Sequence, residues 1–233
     1  MIADVPYLLL HSPLLAAAGT WGRLPALLGP DTVVPEITAD DRPPYAERYA
    51  ADVAAQVGAL AGRVGDPLVA VPHSGAGPLL PAVLAALRDA GRQVRAAVFL
   101  DAGLPAPGST RLDLLAGEGA TAADDLRQRL AAGARFPDWT ADLLAGEVPD
   151  PDVVLAAVRP RGADFFAEPL PATPVPADLA AGYVQLSIHY ASYAQRATAL
   201  GWPVARADLG HLAALAAPET VARLLDEVSP APR

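Results

Sequence analysis

Three consecutive stretches in the middle of the chain constrain its fold more than any other feature. Residues 68–71 are wholly apolar and too short for a helix, residues 78–90 carry helical periodicity opened by Pro78, and residues 94–100 form a second apolar run. Parallel strands cannot be joined by a tight hairpin, so strand, crossover helix and strand in this order predict one βαβ unit. The same alternation runs through the rest of the chain. Residues 7–10 read as a strand, and residues 20–28 as a helix stopped at Gly29-Pro30, while Val33 and Val34 begin a short strand. Tyr45, Tyr49, Val53, Val57 and Leu60 recur at three- and four-residue intervals, which predicts a helix over 45–64 with one face on a sheet. Strands at 182–187 and 203–207 and helices at 190–200 and 218–228 complete the pattern. The expected class is therefore α/β, a mostly parallel sheet with helices on both faces.

A chain of 233 residues, 52% hydrophobic, is enough for one core, and we expect a single domain over 1–233. Between about 106 and 176 the regular alternation fails. Prolines, among them Pro137, Pro149, Pro151, Pro160 and Pro169, cut this stretch into short helical pieces such as 122–132, the signature of a small helical cap-like insertion. The net charge is −9 and all 17 basic residues are arginines spread along the chain, so no basic tract exists to neutralise a phosphate backbone. Nucleic acid is excluded as the expected partner. The absence of cysteine removes thiolate chemistry and sulfur-ligated metal, and with no basic leader region it predicts a cytoplasmic protein. The apolar run from Tyr7 is broken by His11 and Ser12, far short of the ~20 residues of a membrane span. The histidines His11, His73, His189 and His211 lack the spacing of a ligand pair, so neither metal nor cofactor is expected. A small molecule is the expected partner, and the oligomeric state is left open.

One serine stands out chemically. In Leu68-Val-Ala-Val-Pro-His-Ser74-Gly-Ala-Gly77 it follows an apolar strand at once, precedes a helix, and is crowded by small residues. That is the setting of a nucleophile elbow, in which the serine takes a strained backbone and its hydroxyl stands where helix amides favour negative charge. Here the chain resembles the α/β-hydrolase superfamily, and is most similar to small esterase-like members with a His-Ser-Gly-Ala-Gly elbow. The G-x-S-x-G pattern is relaxed to Pro72-His73-Ser74-Gly75-Ala76.

The resemblance implies the α/β-hydrolase fold and assigns further roles. His211, in Ala207-Asp-Leu-Gly-His-Leu212 between the last strand and last helix, takes the slot of the catalytic base. The usual acid position after the penultimate strand holds no carboxylate. Asp101, at the end of the strand after the nucleophile's helix, is the acid used by some members; Asp208 and Glu168 are its rivals. Ser187 and His189 read as loop residues, and His73 as a packing residue beside the nucleophile. The loop His11-Ser-Pro-Leu-Leu15 implies an oxyanion donor at Pro13, which has no N–H. Gly75 is then left as the backbone donor, with the Ser12 hydroxyl or, one residue on, the Leu14 amide as the second. Trp139, Phe165 and Phe166 are candidates to line a substrate pocket. The resulting expectation is a serine-dependent hydrolase of a small or medium apolar ester, thioester or lactone. The alternative is a lyase or cyclase on the same fold, with His211 as general base.

Overall fold

The computed structural model describes residues 5–60 and 62–229. Its strands are β1 (Tyr7–Leu10), β2 (Leu68–Ser74), β3 (Val94–Ala102), β4 (Ala180–Gln185) and β5 (Val204–Arg206). They form one sheet in the order β1-β2-β3-β4-β5, with every neighbouring pair parallel. Helices α1 (Leu24–Leu28) and α2 (Tyr45–Gly58) lie between β1 and β2, and α3 (Leu80–Asp89) joins β2 to β3. Five short helices separate β3 from β4: α4 (Arg111–Glu118), α5 (Ala120–Ala131), α6 (Ala141–Leu144), α7 (Pro151–Ala157) and α8 (Ala163–Ala167). Helix α9 (Ala191–Ala199) leads to β5, and α10 (Ala213–Ala216) and α11 (Pro218–Val228) follow it. No helix among the described residues is long and apolar enough to cross a membrane.

Because side chains alternate along a strand, the sheet has two buried faces. Leu8, Leu10, Leu68, Ala70, Ala97, Phe99 and Tyr183 pack with α2, α3 and α9 on one. Leu9, Val69, Val71, Val98, Leu100 and Val184 pack with Trp21, α1 and α11 on the other. Helix α11 covers the expected 218–228 and buries Val221, Leu224, Leu225 and Val228 along one stripe.

Several expected elements change length for physical reasons. The helix expected over 20–28 is a 3₁₀ turn at Ala17–Gly19 followed by α1, since Gly22 between them has φ +50°, outside the helical region. Val33 and Val34 give a single bridge from Val33 to Leu8, because Pro35 cannot continue a ladder. The helix expected to reach Val64 ends at Gly58. The buried Arg92 guanidinium binds the carbonyls of Val57, in the last turn of α2, and of Val64, beyond it, at 2.7 and 3.1 Å, so the chain satisfies these groups without further helix. Strands β2 and β3 run past their apolar cores to Ser74 and Ala102.

The stretch from 106 to 176 holds α4 to α8 and builds two small clusters of its own. Leu126, Leu130, Phe165 and Phe166 gather on Tyr45, while Leu144, Val148, Val154 and Ala157 gather on Leu15 and Leu212. Polar ties fasten it to the main body. Glu168 accepts the amides of Tyr45 and Ala46 at 2.8 and 2.9 Å at the start of α2, and the fully buried Asp40 pairs with Arg159 and Arg161.

Candidate active site

Ser74 and Asp101 are the two non-glycine residues with positive φ among the described residues, at 57° and 41°. Each such conformation costs roughly 1–3 kcal/mol and persists only where the surroundings impose it. The surroundings here are the ends of two neighbouring strands, with the register shifting between His73 and Ser74 as Ser74 comes opposite Ala102. The turn is tight enough that a Cβ on Gly77 would lie 1.9 Å from the Gly103 carbonyl oxygen. The need for a minimal side chain therefore falls at Gly77, which explains why alanine is tolerated at 76.

Asp101 is fully buried and its carboxylate is fully engaged. Oδ1 accepts the amides of Leu186 and Ser187 at 2.8 and 3.0 Å, and Oδ2 accepts the Ser187 hydroxyl at 2.7 Å. Oδ2 also meets His211 Nδ1 at 2.8 Å. Burial pushes the carboxyl upward, but the hydrogen bonds and charge of His211, with the Leu186 and Ser187 donors, outweigh it and hold the group below the ordinary range. An ionised acceptor at Nδ1 puts that proton on Nδ1 and leaves Nε2 of His211 as the basic nitrogen.

Two rings clamp the His211 imidazole. His73 stacks on it at 4.5 Å between centroids, and Tyr190 lies nearly parallel to it at 5.0 Å. His73 itself is sealed in the core, edge-on to Trp21, and its Nε2 donates to the His211 carbonyl at 3.0 Å. Burial and the neighbouring His211 push His73 down to about 3, so it stays neutral. The Ser74 hydroxyl pairs with the Tyr190 hydroxyl at 3.2 Å, and no hydrogen bond joins it to His211.

The loop after β1 runs beside the elbow. A Cβ on Gly75 would lie 3.1 Å from Ser12 Oγ, so that oxygen stands against the residue after Ser74. Ser12 Oγ accepts the Leu14 amide at 3.2 Å, which occupies the Leu14 N–H and leaves the hydroxyl proton to be donated elsewhere. Pro13 contributes no N–H, and its carbonyl is held by Arg161 at 3.2 Å.

Ser74 lies where two cavities meet. One, of about 400 Å³, is lined by Gly75, Leu114, Leu126, Phe136, Phe165 and Phe166; the other, of about 430 Å³, by Trp139, Leu143, Leu144, His211 and Leu212. The candidate aromatics are thus divided, Phe165 and Phe166 in the first cavity and Trp139 in the second.

The rivals to Asp101 lie elsewhere. Asp208 is exposed, and Glu168 caps α2. Ser187 is a correction to the sequence reading: it is a ligand of the Asp101 carboxylate rather than a plain loop residue. It fills the place after β4 where a carboxylate was sought. Tyr190 was missed altogether, since a tyrosine at the start of a helix carries no sequence signal that it will reach a serine 116 positions away.

No protein-family model matches the chain, and no curated protein does. Solved structures match it over nearly its whole length. An extracellular α/β-hydrolase from Paenibacillus, described as sharing structural and functional homology with tobacco salicylic acid binding protein 2, superposes with a TM-score of 0.66 at 14% identity, covering 97% of this chain and 99% of its own. A pyrethroid hydrolase from Sphingobium faniae JZ-2 gives 0.64 at 17% identity, with 95% and 96% covered. A polyneuridine aldehyde esterase gives 0.64 at 16% identity, with 95% and 98% covered.

Proposed function

We propose, from the premise that this chain has the α/β-hydrolase fold, that it is a serine-dependent hydrolase of a small or medium apolar ester, thioester or lactone. One observation carries the reading. Ser74 is held in a left-handed elbow between two largely apolar cavities, beside an imidazole whose Nδ1 is locked to a buried carboxylate. Ser74 Oγ attacks the carbonyl carbon and passes its proton to His211 Nε2, while Asp101 stabilises the imidazolium that forms. The oxyanion is held by the Gly75 amide and by the Ser12 hydroxyl, in place of the amide that Pro13 lacks. His211 then protonates the leaving alkoxide or thiolate, and a water activated by the same nitrogen releases the acid and restores Ser74. Before attack, Ser74 Oγ exchanges its Tyr190 partner for His211. Two cavities meeting at the serine suit an ester, with the acyl group on one side and the alcohol on the other.

A fluorophosphonate probe tests this directly. It should add one phosphonyl group to the wild-type chain, mapped to Ser74, and none to Ser74→Ala; an unlabelled wild type would overturn the reading. A second reading draws on the Ser74–Tyr190 hydrogen bond and the proline in the oxyanion loop. In it, Ser74 and Tyr190 donate hydrogen bonds to a substrate that His211 deprotonates, for elimination or ring closure. Retained turnover of the natural substrate by Ser74→Ala, with loss in His211→Ala, would favour it.

A further inference from the structure

The wall of the first cavity contains an arginine with no direct carboxylate partner, although the charges of Glu168 and Asp40 act on it from farther off. Arg111, the first residue of α4, lines it together with Ser74, Phe165 and Tyr193. Its guanidinium carbon stands 3.9 Å over the Phe165 ring, and Nη1 donates to the Phe165 carbonyl at 2.9 Å. Nη2 is shut off from solvent and has no hydrogen-bond partner, and Arg111 makes no ion pair among the described residues. Arg95 and Arg159 also keep buried nitrogens without a partner, but Arg92, Arg159 and Arg161 each face a carboxylate. Arg92 has the carboxylate of Asp66 at 3.0 Å, and Arg159 and Arg161 share Asp40.

The acids that could have served Arg111 are spoken for. Glu168 gives its oxygens to the Tyr45 and Ala46 amides, Asp164 accepts the Tyr45 hydroxyl, and Asp40 holds its two arginines. Asp125, which also lines the cavity, faces Arg129 at 3.8 Å, and Arg129 itself is bonded to Asp138. Burial lowers the Arg111 group to about 10, which still leaves it charged at neutral pH. An arginine in the wall of a mainly apolar cavity, which Asp125 and Arg129 also line, keeps a planar set of donors matched to a carboxylate, and leaving such donors unmade is costly.

We infer that Arg111 is a carboxylate-recognition residue, so that the substrate of this cavity is a bifunctional one: an ester or thioester at Ser74 and, on the arm entering the cavity, a free carboxylate paired with Arg111. The inference rests on the hydrolase reading for which bond is broken, and on Arg111 for which arm is bound. It turns a general preference for apolar esters into a preference for half-esters of dicarboxylic acids or for esters of hydroxy acids.

The test separates binding from turnover. Binding of monomethyl suberate and dimethyl suberate is measured by titration calorimetry in the Ser74→Ala and Ser74→Ala/Arg111→Gln proteins, with Arg111→Lys as a charge-retaining third background. The half-ester should bind Ser74→Ala at least about tenfold more tightly than the diester, as a charge-assisted pair would give. The ratio should fall to near one with glutamine at 111 and be intermediate with lysine. Equal binding of both esters by Ser74→Ala, or a preference that survives glutamine, overturns the inference. If the glutamine variant does not fold, the ratio in Ser74→Ala and its decrease with lysine decide. Turnover of both esters by the wild type then distinguishes the two readings. Hydrolysis of both without a half-ester preference sinks only the carboxylate site, and a binding preference with no hydrolysis of either sinks only the hydrolase.

Discussion

Phe99 in β3 and Phe165 in α8 are equally buried, each 1% exposed, yet they sit in different kinds of structure. Phe99 lies between sheet and helices, stacked on Trp202 at 5.5 Å and joined to a cluster spanning α2, α3 and α9. Phe165 lies in a cluster of a few side chains, held by Tyr45, Arg111 and short helices with exposed ion pairs such as Arg127–Asp124. The proposed reacting groups follow the first pattern: Ser74 and Asp101 lie at the ends of adjacent strands, and the two residues just after β4 supply the donors that hold Asp101. The groups proposed to face the substrate, Phe165, Phe166 and Arg111, follow the second. Chemistry that needs fixed distances is built where backbone pairing fixes them, and recognition is built where repacking costs less.

Three measurements would break or sharpen that contrast. On the rigid side, Ser74→Ala and His211→Ala should each lower ester kcat/KM by roughly 10⁴-fold or more, with Asp101→Asn close behind, because the three act as a unit. Ser12→Ala should cost about 10²-fold as a lost oxyanion donor. Near-normal rates in either of the first two variants would remove the sheet-end site.

The next largest effect is on stability. Phe99→Ala should lower the unfolding free energy by about 3–5 kcal/mol, the usual cost of emptying a large core site. Phe165→Ala should lower it by less while raising KM and speeding hydrogen exchange in α4, α5 and α8. Equal losses in urea unfolding, with exchange in those helices unaltered, would mean that the two regions unfold as one.

The smallest effect concerns His73, at the dry end of the site. Its folded form stays neutral down to about 3, whereas the unfolded chain takes up a proton below ~6.5. Its contribution is therefore complete above ~6.5 and is lost as pH falls, with a slope of at most ~1.4 kcal/mol per pH unit. Stability measured between pH 7 and pH 5 should fall less steeply in His73→Gln than in the wild type. Parallel slopes would show that the ring takes up its proton in the folded state too.

Legibility in the sequence follows the same division. The strand–helix–strand core could be read because its signals are local: apolar runs, three-and-four spacing, and a serine at a strand-to-helix junction. The failures came where a distant group intervenes or a single neighbouring residue ends a run. The helix over 45–64 stops early because Arg92 arrives from beyond β2 to take its carbonyls, and Val33 stays a single bridge because Pro35 ends the ladder. Between 106 and 176, prolines announced short pieces but not their arrangement, since each piece is set by contacts with Tyr45, Leu15 and Asp40 rather than by its own periodicity.

What the sequence determined by itself is the order of elements and the identity of Ser74 and His211 as candidates, because chain order and side-chain period are properties of neighbouring residues. The tertiary structure alone decided which groups each one touches. Ser187 reaches Asp101 because β3 and β4 end side by side, and His211 reaches it because the loop after β5 is tied to the end of β4 by the Leu209 and Gly210 amides on the Leu186 carbonyl. Tyr190 beside Ser74, and Arg111 left without a carboxylate, are likewise outcomes of packing. Hydrogen bonds and counter-charges depend on distances across space, and no local pattern of residues encodes those.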